Sequence, residues 1–108
     1  MDMFRILVVD DEIDLLQTIN KRLQKRELDV SGFKSGEEAV KFVQQQMFDV
    51  VLLDVKMPGG MDGIETLREI KKIKPLTEVV LLTGHASVET SIEGMKLGAF
   101  DYLLKPIK

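Results

Sequence analysis

The chain has 108 residues, the size of a single domain with one hydrophobic core. Its net charge of -3 argues against a nucleic-acid partner held by phosphate neutralisation, and the absence of cysteine excludes disulfide and thiolate chemistry. No apolar run approaches the roughly 18 residues of a membrane span, and no basic region followed by an apolar one opens the chain. These features predict a soluble, cytoplasmic domain that neither enters a membrane nor binds nucleic acid directly.

Apolar runs typical of strands alternate with helical patterns along the chain. The runs predict strands at 4–9, 28–33, 50–53, 78–82 and 100–104, of which the second is the weakest and lies nearest an edge. Five strands separated by four helices imply right-handed crossovers, a parallel sheet and helices on both of its faces. The predicted fold is therefore a doubly wound α/β domain.

The helices have recognisable ends and apolar stripes. The first helix covers 13–26, and capping boxes open the second at Ser35-Gly36-Glu37-Glu38 and the third at Asp62-x-x-Glu65. Ser87 is placed to cap the fourth helix, and Gly98 to end it in a left-handed turn. The predicted stripes of the second and fourth helices are Ala39, Val40, Val43 and Met47, and Val88, Ile92 and Met95.

Charged side chains stand where three of the strands end. Asp10 and Asp11 follow the first strand, Asp54 follows the third, and Lys105 follows the fifth. Burying an unpaired charge costs several kcal/mol, on the order of the penalties for buried ions, so carboxylates rarely end buried strands without a reason. Because the carboxyl ends of parallel strands meet at one edge, these residues predict a cation site beside a carboxylate that can be modified.

Plainer explanations exist for each acid alone. Asp10 and Asp11 could cap a helix, and Asp54 could be a turn residue before Pro58. Their convergence with Lys105 makes these explanations less favoured than a shared site. A site of carboxylate oxygens without cysteine or a second histidine suits Mg²⁺ better than zinc.

Five segments in order resemble the receiver domain of two-component response regulators over essentially the whole chain. They are Val8-Val9-Asp10-Asp11-Glu12, Leu53-Asp54-x-x-Met57-Pro58, Met61-Asp62-Gly63, Leu82-Thr83 and Tyr102-Leu103-Leu104-Lys105-Pro106. The resemblance implies a flavodoxin-like fold with strand order 2-1-3-4-5, and the segment from 82 to 102 is similar to receivers of ATPase-type transcription activators. The loop containing Gly59 and Gly60 is one glycine longer than the usual family form.

The resemblance also implies a role for each site residue. Asp54 would accept a phosphoryl group from a phosphohistidine. Asp11, Asp54 and the backbone carbonyl of Lys56 would bind Mg²⁺, and Asp10 would act on it mainly through a metal-bound water. Thr83 and Lys105 would contact the phosphoryl oxygens, and a cis peptide between Lys105 and Pro106 would direct the lysine inward.

Phosphorylation would act on a switch formed by Thr83 and Tyr102. Thr83 would move toward the phosphoryl group, and Tyr102 would turn inward to fill the space that this movement leaves. An edge position with its hydroxyl in water is an equally good interpretation of Tyr102. His85 is more simply a solvated loop residue than a catalytic one, although it flanks the path of the hydrolytic water.

The resemblance implies a signalling domain over residues 1–108 rather than an enzyme acting on an external substrate. Its partners would be a sensor histidine kinase and an output module, with slow self-dephosphorylation ending the signal. The family's fifth helix is missing after Lys108, so we expect a domain truncated before that helix. An apolar sheet face would then be open and would invite association, so the alternatives are a fragment of a longer chain and a chain that forms a homodimer.

Three rival functions are less favoured. An aspartyl-phosphate phosphohydrolase would need an acid two residues after its nucleophile, where this chain has Lys56. A flavin module would need a phosphate-binding loop after the first strand, where Asp10 and Asp11 would repel phosphate. A pseudo-receiver would not need the complete set of acids, threonine and lysine.

Overall fold

The computed structural model of the chain describes residues 4–84 and 88–105. The predicted cap at Ser87, the residue His85 and the peptide bond to Pro106 lie outside these ranges. No helix within them has the length and apolar character needed to cross a membrane.

The described residues form five strands that alternate with four helices. The elements are β1 (Arg5–Val9), α1 (Ile13–Gln24), β2 (Asp29–Phe33), α2 (Gly36–Gln45), β3 (Val50–Asp54), α3 (Gly63–Ile73), β4 (Glu78–Thr83), α4 (Val88–Lys96) and β5 (Asp101–Leu104). All neighbouring strands are parallel, in the order β2-β1-β3-β4-β5. The doubly wound, flavodoxin-like fold with β2 at an edge is therefore confirmed.

The central strands are mostly apolar and carry their charged residues at their ends, because helices lie on both faces of the sheet. Leu7, Val8 and Val9 of β1 are completely buried, although neighbouring side chains point to opposite faces. The larger core, which includes Leu7 and Val9, lies on the face covered by α2, α3 and α4, and the smaller core, which includes Val8, lies under α1. Burial on both faces fixes the register, since a one-residue slip would exchange the two cores.

Two predicted helix starts are confirmed. The Ser35 hydroxyl accepts a hydrogen bond from the Glu38 N–H at 3.2 Å and donates to the Glu38 carboxylate at 3.0 Å. The Asp62 carboxylate accepts from the Glu65 N–H at 2.8 Å. Each cap satisfies an N–H group that the first helical turn leaves without a partner.

Two predicted apolar stripes are wrong in part. α2 ends at Gln45, so Met47 lies beyond the helix and is 57% exposed. In α4 the buried residues are Ser91 and Gly94, whereas Ile92 is 48% exposed. A Cβ at Gly94 would lie 2.4 Å from Leu81 Cδ1, so the small residues of α4 face the sheet and permit a close approach.

The face covered by α1 contains an open apolar groove of about 380 Å³. It is lined by residues of α1, β3 and β5 and by Arg26 and Leu28, which follow α1, and Arg22 of α1 is among the lining residues. Most of its lining side chains are apolar.

The third helix approaches the end of β3 closely at Gly63. A Cβ there would lie 2.3 Å from the Asp54 carbonyl oxygen and 2.6 Å from Val55 Cα, and the Gly63 N–H donates to the Val55 carbonyl at 3.1 Å. Backbone atoms cannot move aside as a flexible side chain can. The start of α3 is thus held directly against the carboxyl end of β3, where Asp54 lies.

We expect Gly63→Ala to lower the free energy of unfolding by about 2 kcal/mol, the usual size of an overpacking penalty. Urea denaturation would measure it, with Gly84→Ala as the matched control because a Cβ at Gly84 meets nothing within 4 Å. Equal stability of the two variants would contradict the close contact.

Candidate functional site

The site edge of the sheet brings together three carboxylates from two strands. β1 and β3 are parallel neighbours, so Asp10 and Asp54 leave the sheet at the same edge. Asp10 is completely buried and Asp54 is 4% exposed, whereas Asp11 is exposed. One oxygen from each of the three lies within 4.8 Å of the others. The predicted convergence of these acids is confirmed in its geometry.

Lys105 enters the same cluster from the end of β5. Its Nζ lies 3.0 Å from Asp10 Oδ2, 3.2 Å from Glu12 Oε1 and 3.4 Å from Asp54 Oδ1. The Lys105 N–H donates to the Thr83 carbonyl at 2.8 Å, which continues the β4–β5 pairing and fixes the lysine backbone beside β4. The ammonium group therefore lies among the carboxylates.

Burial and crowding perturb the charges of this cluster. Burial, followed by the negative charge of Asp10, raises the pKa of Asp54 from 3.8 to about 7, although Lys105 and the Lys56 N–H oppose the shift. Burial alone would lower the pKa of Lys105, but its contacts with Asp10, Asp54 and Glu12 outweigh burial and raise it. The lysine is thus firmly cationic, and the cluster favours a further positive charge beside Asp54.

The hydrogen bonding of Asp10 fits a metal ligand. Its Oδ1 accepts the Glu12 N–H at 2.9 Å. Its buried Oδ2 has only the ion-pair contact with Lys105, without a well-directed hydrogen bond, within the described ranges. An available buried oxygen beside two further carboxylates is a donor set suited to a hard divalent cation such as Mg²⁺.

The structure places the remaining predicted residues at or near this edge. Lys56 is exposed, and its N–H donates to Asp54 Oδ1 at 3.4 Å, so its backbone lies against the carboxylate. Thr83 is buried at the end of β4, and its hydroxyl donates to the Gly84 carbonyl at 3.0 Å. Tyr102 is half-buried on the edge strand β5 and packs against the larger core.

Two contacts at this end of the molecule were not predicted from the sequence. Glu12 approaches Lys105, and the carboxylate of Glu37 accepts the Met61 N–H at 2.8 Å across the loop that follows β3. The third consecutive acid after β1 was a visible signal for Glu12. Nothing local distinguishes Glu37 from an ordinary acid in the first turn of a helix.

Comparison with known proteins identifies the family. A family model described as the response regulator receiver domain matches residues 6–108. The chain belongs to this family of signalling domains of two-component systems. The resemblance inferred from the five sequence segments is confirmed.

Similar proteins agree with this family. The transcriptional regulatory protein ZraR of Escherichia coli K12 is 44% identical over 106 residues, which are 98% of this chain and 24% of the relative. A response regulator receiver domain protein of Clostridium thermocellum is 41% identical, with a TM-score of 0.92 and coverage of 98% and 85% of the two chains. The receiver domain of NtrX from Brucella abortus is 33% identical, with a TM-score of 0.90 and coverage of 95% and 87%. The chain thus spans about a quarter of the length of the curated relative, and the other two are receiver domains.

Asp54→Asn should stabilise the fold when no divalent cation is present. The folded-state pKa of Asp54 lies above its unfolded value, so stability falls as pH rises from about 4 through about 7. At pH 8 we expect the neutral amide to raise the free energy of unfolding by about 1–3 kcal/mol, less than the full pKa shift implies because the site relaxes.

Urea denaturation at pH 8 with a chelator would measure this change. Asp14→Asn is the matched control, since Asp14 is an exposed acid of α1 outside the cluster. A loss of stability in Asp54→Asn would contradict the account of the crowded carboxylates.

Proposed function

We propose that this domain is a phosphorylation-dependent switch in which Asp54 receives a phosphoryl group from a phosphohistidine of a sensor kinase. The observation that carries the proposal is the cluster itself, in which Asp54 lies beside Asp10, Asp11 and Lys105. Phosphoryl transfer depends mainly on positioning and charge neutralisation, and the cluster provides both around one carboxylate.

Asp10, Asp11, Asp54 and the backbone carbonyl of Lys56 would hold the Mg²⁺ that the family implies. When bound, Mg²⁺ supplies positive charge that offsets the charge of the phosphoryl oxygens and of the acids. The available oxygen of Asp10 and the closeness of the three carboxylates support this assignment.

In the transfer step an oxygen of the Asp54 carboxylate attacks phosphorus. The bond from phosphorus to the donor nitrogen breaks, the imidazole keeps the electron pair, and an acyl phosphate forms on Asp54. Lys105 is within 3.4 Å of Asp54 Oδ1 and would pair with a phosphoryl oxygen, while the Thr83 hydroxyl would donate to another. Slow attack of water on phosphorus then releases inorganic phosphate and restores the carboxylate.

Labelling by acetyl phosphate and Mg²⁺ tests this chemistry, because a small donor replaces the kinase. We expect intact-mass spectrometry to show one added phosphoryl group on the wild type and none on Asp54→Asn, since the amide is not a nucleophile. Chelation of Mg²⁺ should abolish labelling as well.

Asp14→Asn is the control for this experiment and should label like the wild type, because Asp14 lies outside the cluster. Labelling that persists in Asp54→Asn would show that another residue accepts the group. Labelling that persists in the chelator would remove Mg²⁺ from the proposal.

The signal would leave the site through Thr83 and Tyr102. Thr83 follows the β4 residue paired with Asp54, and Tyr102 of β5 pairs with Leu81 of the same strand β4, so both lie near the phosphorylation site in the sheet. A phosphoryl group brings a charge of roughly -1.5 to -2 and three acceptor oxygens, which would draw the Thr83 hydroxyl from the Gly84 carbonyl. Tyr102 is half-buried and would turn into the space that the loop vacates.

Intrinsic fluorescence can report this movement because Tyr102 is the chain's single tyrosine and there is no tryptophan. We expect tyrosine emission to change when acetyl phosphate and Mg²⁺ are added to the wild type. Thr83→Ala should still be labelled at Asp54 but should lose most of the fluorescence change, since the group that pulls the loop is absent.

Intact-mass spectrometry of the same samples would show whether Asp54 is phosphorylated. Loss of phosphorylation can then be distinguished from loss of the conformational change. Tyr102→Phe is the control for the source of the emission. A full fluorescence change in labelled Thr83→Ala would show that Thr83 does not transmit the signal.

The wider partners follow from the same proposal. A sensor histidine kinase would supply the phosphoryl group, and an output module would respond to it, a transcription regulator by analogy with the name of the ZraR relative. A possible homodimer, like residence in the cytoplasm, stays a prediction from the sequence.

A further inference from the structure

Among the described residues, three carboxylates contact Lys105, those of Asp10, Glu12 and Asp54. Of these three, Glu12 alone lies outside the group of acids that could hold a metal ion. Its Oε1 lies 3.2 Å from Lys105 Nζ, close to the 3.0 Å and 3.4 Å separations of Asp10 and Asp54. The Glu12 side chain is 63% exposed, whereas that of Lys105 is 17% exposed. The contact therefore links the solvent-exposed Glu12 carboxylate to the largely buried ammonium group of Lys105.

The local structure explains why Glu12 is free to make this contact. Glu12 is the N-cap of α1, yet its side chain makes no capping hydrogen bond. Glutamate is a weaker capping residue than Ser, Thr, Asp or Asn, so the helix gains little from it. The Glu12 N–H instead donates to Asp10 Oδ1 at 2.9 Å, which fixes the Glu12 backbone beside the cluster.

We infer that Glu12 is a positioning residue that keeps the Lys105 ammonium beside Asp54 when a divalent cation binds the aspartates. This inference rests on the proposed phosphotransfer function. A divalent cation held by the aspartates would repel the ammonium group and would compete with it for carboxylate oxygens. Glu12 is outside the set of acids that would hold the cation. Its attraction for Lys105 would therefore persist when the cation binds, and would keep the ammonium group in place for the incoming phosphoryl group.

The test compares Glu12→Gln, which removes the charge and keeps the shape, with Asp14→Asn as the control. With acetyl phosphate and Mg²⁺, we expect the labelling rate constant of Glu12→Gln to fall about threefold, a modest change typical of a partly exposed ion pair. Asp14→Asn, which alters a nearby exposed acid of the same helix, should label at the wild-type rate.

A double-mutant cycle tests whether Glu12 acts through the lysine. In a Lys105→Met background, Glu12→Gln should cause no further loss of rate, because the group that it positions is gone. A further threefold fall in that background would overturn the inference, since Glu12 would then act on the reaction independently. Circular dichroism would confirm that each variant is folded.

A second readout does not depend on phosphorylation. Proton exchange of the Lys105 ammonium group with water, measured by nitrogen NMR in Mg²⁺, should be about threefold faster in Glu12→Gln, as expected for a lost ion pair of this exposure. Unchanged exchange together with an unchanged labelling rate would overturn the inference while leaving the proposed function intact. Absence of any labelling in the wild type would overturn both.

Discussion

The burial of negative charge at the carboxyl edge of the sheet is the constraint on which this structure depends. Asp10 and Asp54 are almost completely shielded from water, and the ammonium group of Lys105 lies within ion-pair distance of both. Unpaired ions in such surroundings would cost several kcal/mol, in the range measured for broken buried pairs. Lys105, which follows the last strand, therefore stabilises the carboxyl edge of the sheet. Without its positive charge, the acids at the ends of β1 and β3 would be buried unpaired.

Lys105 neutralises only part of this negative charge, and the remaining negative charge suits the proposed binding of Mg²⁺ and the proposed phosphoryl transfer. One positive charge faces several carboxylates, and burial, followed by repulsion from Asp10, raises the pKa of Asp54. A divalent cation would relieve that repulsion, and a phosphoryl group on Asp54 would then meet positive charge already in place. The site thus resembles other preorganised centres, in which the protein orients charge before the reaction begins.

The surrounding fold connects this edge to the rest of the molecule. Gly63 brings the start of α3 against the Asp54 carbonyl, and Glu37 of α2 holds the loop between them through the Met61 N–H. On the other side, Lys105 is fixed to β4 through the Thr83 carbonyl. A change in charge at Asp54 would therefore act on backbone segments of several elements, as the proposed switch requires.

The sequence by itself determined the local features of this protein. The order of the elements follows from the apolar runs, and the alternation of strands with helices implies the parallel topology. The caps at Ser35 and Asp62 follow from short-range hydrogen bonds between neighbouring residues. The meeting of Asp10, Asp11, Asp54 and Lys105 was also predictable, because parallel strands bring their carboxyl ends to one edge.

The tertiary structure alone decided which helix face packs and which distant side chains touch. Periodicity placed Ile92 inward, but the close approach at Gly94 turned α4 so that small residues face the sheet and Ile92 faces solvent. The contact of Glu12 with Lys105 joins residues 93 positions apart, and its length depends on how β1 and β5 are arranged across the sheet. The run of three acids after β1 marks Glu12 as a residue near the site, but its partner is set by packing in three dimensions.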